Sequence, residues 1–187
     1  YESLGSLHDK VMRMANISKI FAKRFGVKSE LAKQAAILSK ADLVSEMVIE
    51  FPELQGIMGG HYAKINNEHK EVTKAIFEHY KPKGVSDDLP KTKLGSLISL
   101  VDKIDTVVGF FLIDKKPTGS KDPFALRRNG FSIAQILINF KLNMSLHEVI
   151  EPSIKEYGCS SQSIKFSLIN FMIDKLKFVL SNKNNRV

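Results

Sequence analysis

Apolar residues recur every three to four positions along almost all of this 187-residue chain, and strand-like alternation is scarce. That period lines side chains along one face of an α-helix, so the chain must bury helical stripes against one another. The predicted fold class is all-α. A first helix is expected over residues 6–25, with Leu7, Val11, Met14, Phe21 and Phe25 on one stripe and Gly26 ending it in a left-handed conformation. A second is expected over 29–50, stopping before Pro52. It is apolar nearly all round, with Leu31, Ala35, Leu38 and Ile49 on one side and Ile37, Val44 and Val48 on another, which predicts a central, buried helix. Ser39, Asp42, Glu46 and Glu50 fall within one narrow arc of it and need polar partners if buried.

Punctuation divides the rest. The segment from Gly56 to Gly60 lacks the lysine and hydroxyl of a phosphate-cradling loop and reads as a tight turn or a close helix approach. Helices are expected over 67–79 and 93–113, separated by a surface loop with Pro82, Gly84 and Pro90. Asp122-Pro123 reads as an N-cap carboxylate followed by a first-turn proline, opening a helix that runs to about Phe140. Ser145 and Glu148 form a capping box for a short helix ending near Gly158, and a last helix is expected over 163–180. A boundary between Phe140 and Ser145 divides the chain into residues 1–140 and 141–187. The start at Tyr1, in helix-forming sequence, reads as a piece of a longer protein.

Composition narrows the function classes. No apolar run approaches the ~20 residues that cross a bilayer, so no membrane partner is expected. Cys159 is the single cysteine, which excludes an intrachain disulfide and a cysteine zinc cluster and fits a reducing, cytoplasmic setting. It lies in no recognisable Cys-His setting, so nucleophilic catalysis has little support. The net charge of +8 favours polyanionic partners, because neutralising phosphates releases counterions.

Two groups of residues bear on function. His8, His61, His69 and His79, with Asp42, Asp102 and Asp105, are the candidate metal ligands of a helical bundle. Metal-dependent phosphohydrolases of the HD superfamily use a leading His, an adjacent His-Asp pair and a later Asp to hold a divalent ion that activates water. The order here is similar, yet the second helix reads Ser39-Lys40-Ala41-Asp42 where the pair is needed, and a lysine there opposes a cation. The expectation is no bound metal and no catalytic residue, with an HD-type phosphohydrolase acting on nucleotides as the alternative. The other group is basic: Lys115, Lys116, Lys121, Arg127 and Arg128 stand against Asp114 and Asp122. Arginines in the second turn of a helix oppose its dipole, so they call for a nearby anion, either Asp122 or a nucleic-acid phosphate. Lys10, Arg13, Lys19, Lys23 and Arg24 on the first helix either follow a phosphate backbone or solvate an outer face.

Longer strings carry a resemblance. They are Ile37-Leu38-Ser39-Lys40-Ala41-Asp42-Leu43-Val44, Glu50 through Ala63, Asp102-Lys103-Ile104-Asp105-Thr106, Gly109-Phe110-Phe111, and Pro117-Thr118-Gly119-Ser120-Lys121-Asp122-Pro123-Phe124-Ala125-Leu126-Arg127-Arg128. In this order they resemble the β subunit of bacterial tetrameric (α2β2) glycyl-tRNA synthetases, over nearly the whole chain and more weakly after Asn139. The resemblance implies an HD-domain-like helical bundle with a trailing C-terminal helical element, the latter opening an anticodon-binding domain. It also implies a ligase that joins glycine to tRNA(Gly) with ATP and magnesium. Glycine activation would belong to the α subunit, and this part of β, beside the rest of that subunit, would bind tRNA and scaffold. No cofactor is implied for this part itself.

Overall fold

The helix α6 (Lys93–Leu112) is the axle of the molecule: sixteen of its twenty residues are buried. Around it pack α1 (Leu7–Phe25), α2 (Ser29–Leu38), α5 (Lys70–Glu78), α7 (Leu126–Asn139), α8 (Leu146–Glu156) and α9 (Gln162–Asn184). The short helices α3 (Glu46–Glu50) and α4 (Ile57–Ile65) lie between α2 and α5 in the chain. The computed structural model describes residues 2–84, 86–117, 122–159 and 161–184, among which there is no strand. The all-α expectation holds.

Met14, Ile17 and Phe21 of α1 meet Leu97, Ile98, Val101 and Ile104 of α6 in one apolar core. Val149, Ile150 and Ile154 of α8 and Leu168 and Met172 of α9 join the same core. Each such side chain contributes roughly 1.5–3 kcal/mol by leaving water. Local signals set several helix ends, of which Gly26 and the Ser145 box are as the sequence predicts. Ser6 and Asp9 close a capping box on α1, Gly26 ends that helix at φ 64°, and Ser145 and Glu148 close a second box on α8.

Three expectations need correction. The helix predicted over 29–50 is broken: α2 stops at Leu38, a 3-10 turn spans Ala41–Val44, and Ser45 caps α3. The break has a polar cause. Ser39 Oγ donates back to the Ala36 carbonyl at 2.9 Å, and buried Asp42 accepts from the backbone N–H groups of Gly56 and Gly59 at 2.6 and 2.9 Å. The turn also carries Val44 and Ile49 out of the core, to 79% and 67% exposure. Secondly, the glycine-rich segment, assigned to no helix from the sequence, is itself a helix, α4, although its glycines act as expected, Gly56 at φ 80° in the turn that enters it and Gly60 in a close approach to α5. Gly60 lies so close to the Phe77 ring that a Cβ there would overlap it. Thirdly, α7 begins at Leu126, after Ala125 in a left-handed conformation, so Pro123 sits in a turn and not in the first helical turn. Asp122 still caps: its two oxygens accept from Leu126 N at 2.7 Å and Arg127 N at 2.9 Å.

Candidate functional site

Charged and polar side chains from five places along the chain meet at the middle of α6. On α1, Lys10 and Arg13 are three residues apart and share a face; on α6, Asp102 and Asp105 do the same. Lys10 Nζ lies 2.9 Å from Asp102 Oδ1, 3.2 Å from Asp105 Oδ2 and 2.9 Å from Thr106 Oγ1. Arg13 Nε donates to Asp105 Oδ1 at 2.7 Å, Nη2 donates to the Tyr157 hydroxyl at 2.9 Å, and the guanidinium lies over that ring. From the break after α2, Lys40 Nζ reaches Asp102 Oδ2 at 2.7 Å and His79 Nε2 at 3.0 Å, above the Tyr80 ring. An ammonium has only protons to give, so His79 Nε2 accepts, and Nδ1 carries the proton donated to the Ile76 carbonyl at 2.7 Å.

Charge follows from these contacts. Burial opposes ionisation of Asp102, but Lys10 and Lys40 outweigh it and hold the carboxyl well below its ordinary range. Burial likewise opposes the Lys10 charge, and Asp102 and Asp105 more than restore it. For Lys40 burial wins over Asp102, and its affinity for the proton is lowered. Burial and the Lys40 charge keep His79 well below the usual imidazole range, hence neutral. Lys103 is 6% exposed and gives its protons to Ser99 Oγ at 2.8 Å and to the carbonyls of Lys81 and His79 at 3.3 and 3.5 Å. Burial pushes it down to about 8, against the pull of Asp102.

Beside this cluster opens a cleft of about 480 Å³. Lys10, Lys40, Lys83, Lys103 and Arg128 line it with a single acid, Asp102, and Asn129, Ser132, Thr106 and Gln55 add neutral hydrogen-bonding groups. Three of those cations are the least compensated. Lys103 hydrogen-bonds to neutral oxygens, the exposed Lys83 has Asp87 nearby but makes no ion pair with it, and the exposed Arg128 makes no ion pair among the described residues.

The predicted basic group is divided by the fold. Arg128 lines the cleft, whereas Lys115 and Lys116 lie on the exposed segment after α6 and do not. Lys116 is paired with Asp114 at 3.1 Å. Arg127 is half-buried, with its backbone N–H on Asp122, and Lys121 lies outside the described residues. Asp122 is thus engaged by the backbone of α7. The candidate metal ligands are dispersed. His8, His61 and His69 are exposed, Asp42 caps α4, and Asp105 belongs to Arg13. Among the described residues no three His, Cys, Asp or Glu side chains converge on a metal position.

Sequence reasoning missed Lys40, Lys103, Lys83 and Tyr157 as members of one site. A signal existed for two of them: Lys40 follows an apolar stripe directly, and Lys103 stands on the most apolar helix of the chain. Cations at such places need buried partners. Lys10 and Arg13 neither solvate an outer face nor follow a free backbone, because Asp102 and Asp105 hold them. On the same helix Lys19 and Lys23 are exposed, and Arg24 pairs with Glu148 at 3.2 Å.

Comparison with known proteins adds the lineage. The family model described as glycyl-tRNA synthetase beta subunit matches residues 1–187. The glycine–tRNA ligase beta subunit of Chromohalobacter salexigens is 42% identical over 94% of this chain. That of Trichodesmium erythraeum is 42% identical over 97% of the chain, and that of Acinetobacter baumannii is 46% identical over 83%. The chain spans about a quarter of the length of these relatives, 26%, 26% and 22% respectively. With a matching model along its full length and relatives above 40% identity, this chain belongs to the glycyl-tRNA synthetase β-subunit family.

Proposed function

We propose that the chain is a tRNA-binding and scaffolding part of a glycine–tRNA ligase β subunit and is not itself catalytic. It serves the ATP- and magnesium-dependent glycylation of tRNA(Gly) in the reducing cytoplasm, beside an α subunit that activates glycine and the remainder of β. The observation that carries this reading is the excess of cations over acids around the cleft and along the start of α7, in a chain of net charge +8. Such a surface attracts the phosphates of RNA over a Debye length and gains counterion entropy on contact. Lys115, Lys116, Lys121, Arg127 and Arg128 are the proposed phosphate contacts.

The site offers no comparable support for metal-assisted hydrolysis. The Lys40 ammonium lies between His79 and Asp102, where a metal would have to sit to use both. Displacing it would leave two donors, fewer than the ligand sets that hold catalytic divalent ions.

Measuring tRNA(Gly) binding and ATP–pyrophosphate exchange with glycine on the same preparation of the chain tests the reading. Binding to tRNA with exchange at background is expected. Exchange activity that co-elutes with the chain through repurification, or no affinity for tRNA at low salt, would contradict it.

A further inference from the structure

The lysine- and arginine-lined cleft has a property that surface RNA contacts do not need: part of its charge is buried. Lys10, Lys40 and Lys103 form the buried side, with Lys83 and Arg128 at the exposed side, so five cations line the cleft against the one carboxylate of Asp102. That acid is already consumed by Lys10 and Lys40, and the neighbouring Asp105, outside the cleft lining, by Arg13. Lys103 hydrogen-bonds to neutral oxygens, with Asp102 and Asp87 acting on it from farther off, a costly way to keep an ammonium out of water that an anion reaching it would relieve.

We propose that the cleft binds a terminal phosphate, the phosphomonoester of a free nucleotide or of an RNA strand end, through Lys103, Lys83 and Arg128. Three features select this chemistry. The uncompensated charge matches a dianion better than a single carboxylate. Arg128 offers the planar fork that pairs bidentately with phosphoryl oxygens, and the lysines supply point charges. The volume, about 480 Å³, lies within the range of small-molecule sites and leaves room for a nucleoside beyond the phosphate. Asn129 and Gln55 are the lining groups suited to that remainder. The proposal shares Arg128 with the tRNA reading, while Lys83 and Lys103 belong to the cleft alone.

Calorimetric titration of the full chain with inorganic phosphate, against chloride at equal ionic strength, is the direct test. Saturable one-to-one binding is expected, weakened about ten-fold or more by Lys103→Met, as for loss of a charge-assisted hydrogen bond. Lys83→Gln and Arg128→Gln should each weaken it by roughly three- to ten-fold. Because these two side chains are exposed, their variants fold even if Lys103→Met does not, which helical circular dichroism reports. Two further probes separate the sources. A free nucleotide is indicated if adenosine 5′-monophosphate binds tighter than both inorganic phosphate and adenosine. A strand end is indicated if a short RNA with a 5′-phosphate outbinds the same RNA with a 5′-hydroxyl. Phosphate binding no tighter than chloride, or equal affinity in the wild type and in Lys83→Gln and Arg128→Gln, would overturn the site. Lys83→Gln keeps every contact proposed for tRNA, so its effect on phosphate is separable from failure of the RNA reading.

Discussion

Lys40 binds Asp102 at 2.7 Å and His79 at 3.0 Å, and with Lys10 it holds that carboxyl ionised inside the protein. Removing one partner of a buried pair strands the other, so Lys40→Met should lower stability by about 3–5 kcal/mol in urea unfolding. A loss under ~1 kcal/mol would mean Lys10 alone satisfies Asp102. Because the Asp102 carboxyl titrates below its ordinary 3.8, its stabilisation is complete above that pH. It is lost as pH falls through the lower folded value, and Asp102→Asn should flatten the acid limb of the stability curve. Lys103 behaves oppositely at alkaline pH. Its proton affinity falls from 10.5 to about 8 through burial, moderated by Asp102 and Asp87 and aided by Lys40 and Lys10. Between those values the unfolded chain binds the extra proton, so stability should rise with pH through this group, by about 3 kcal/mol in all. The difference between wild type and Lys103→Met across that window measures it, and parallel curves would refute it. At this scale the sequence was partly legible. Asp102 and Asp105 stand out on an apolar helix, and Lys40 is visible where a cation-binding acid would be needed. What no spacing reveals is that Lys40 reaches a residue 62 positions away.

Helix ends with local causes were readable. The box at Ser145 and the glycine at 26 act within one turn and formed as predicted, and the first helix starts at its expected place, where Ser6 and Asp9 add a box of their own. The break at Ser39 was not readable, because it depends on Asp42 finding the N–H groups of Gly56 and Gly59 further along the chain. Periodicity runs straight through such a break, since the apolar residues that keep the helical spacing, Val44 and Ile49, end up exposed. The start of α7 failed for a related reason: Asp122 caps from a turn, four residues before Leu126, and not from the N-cap position. The packing of α9 accounts for part of its apolar circumference. Leu168 and Met172 are buried, Phe171 and Phe178 contact Phe111 and Phe131, and Phe166 stays 68% exposed. A helix buried along so narrow a stripe opens more readily than α6, so its amides should exchange with solvent faster in hydrogen-exchange measurements. Equal protection of α9 and α6 would contradict this.

For the whole molecule, class and lineage were the most legible features. The helical period sets the first, and ordered strings such as Asp122 through Arg128 carry the second. The cleft was the least legible, because it collects residues from α1, the turn after α2, the end of α5, α6 and α7. Its five cations against one acid nevertheless give part of the net +8 of the composition a location. The decisive measurement is the salt dependence of tRNA(Gly) affinity for the intact enzyme, wild type against Arg127→Ala and Arg128→Ala. If each arginine neutralises about one phosphate, the log–log slope should flatten by roughly 0.7 to 0.9 per residue removed, with glycine activation unchanged. An unchanged slope and affinity, with lowered thermal stability instead, would show that these arginines serve the fold and not the RNA.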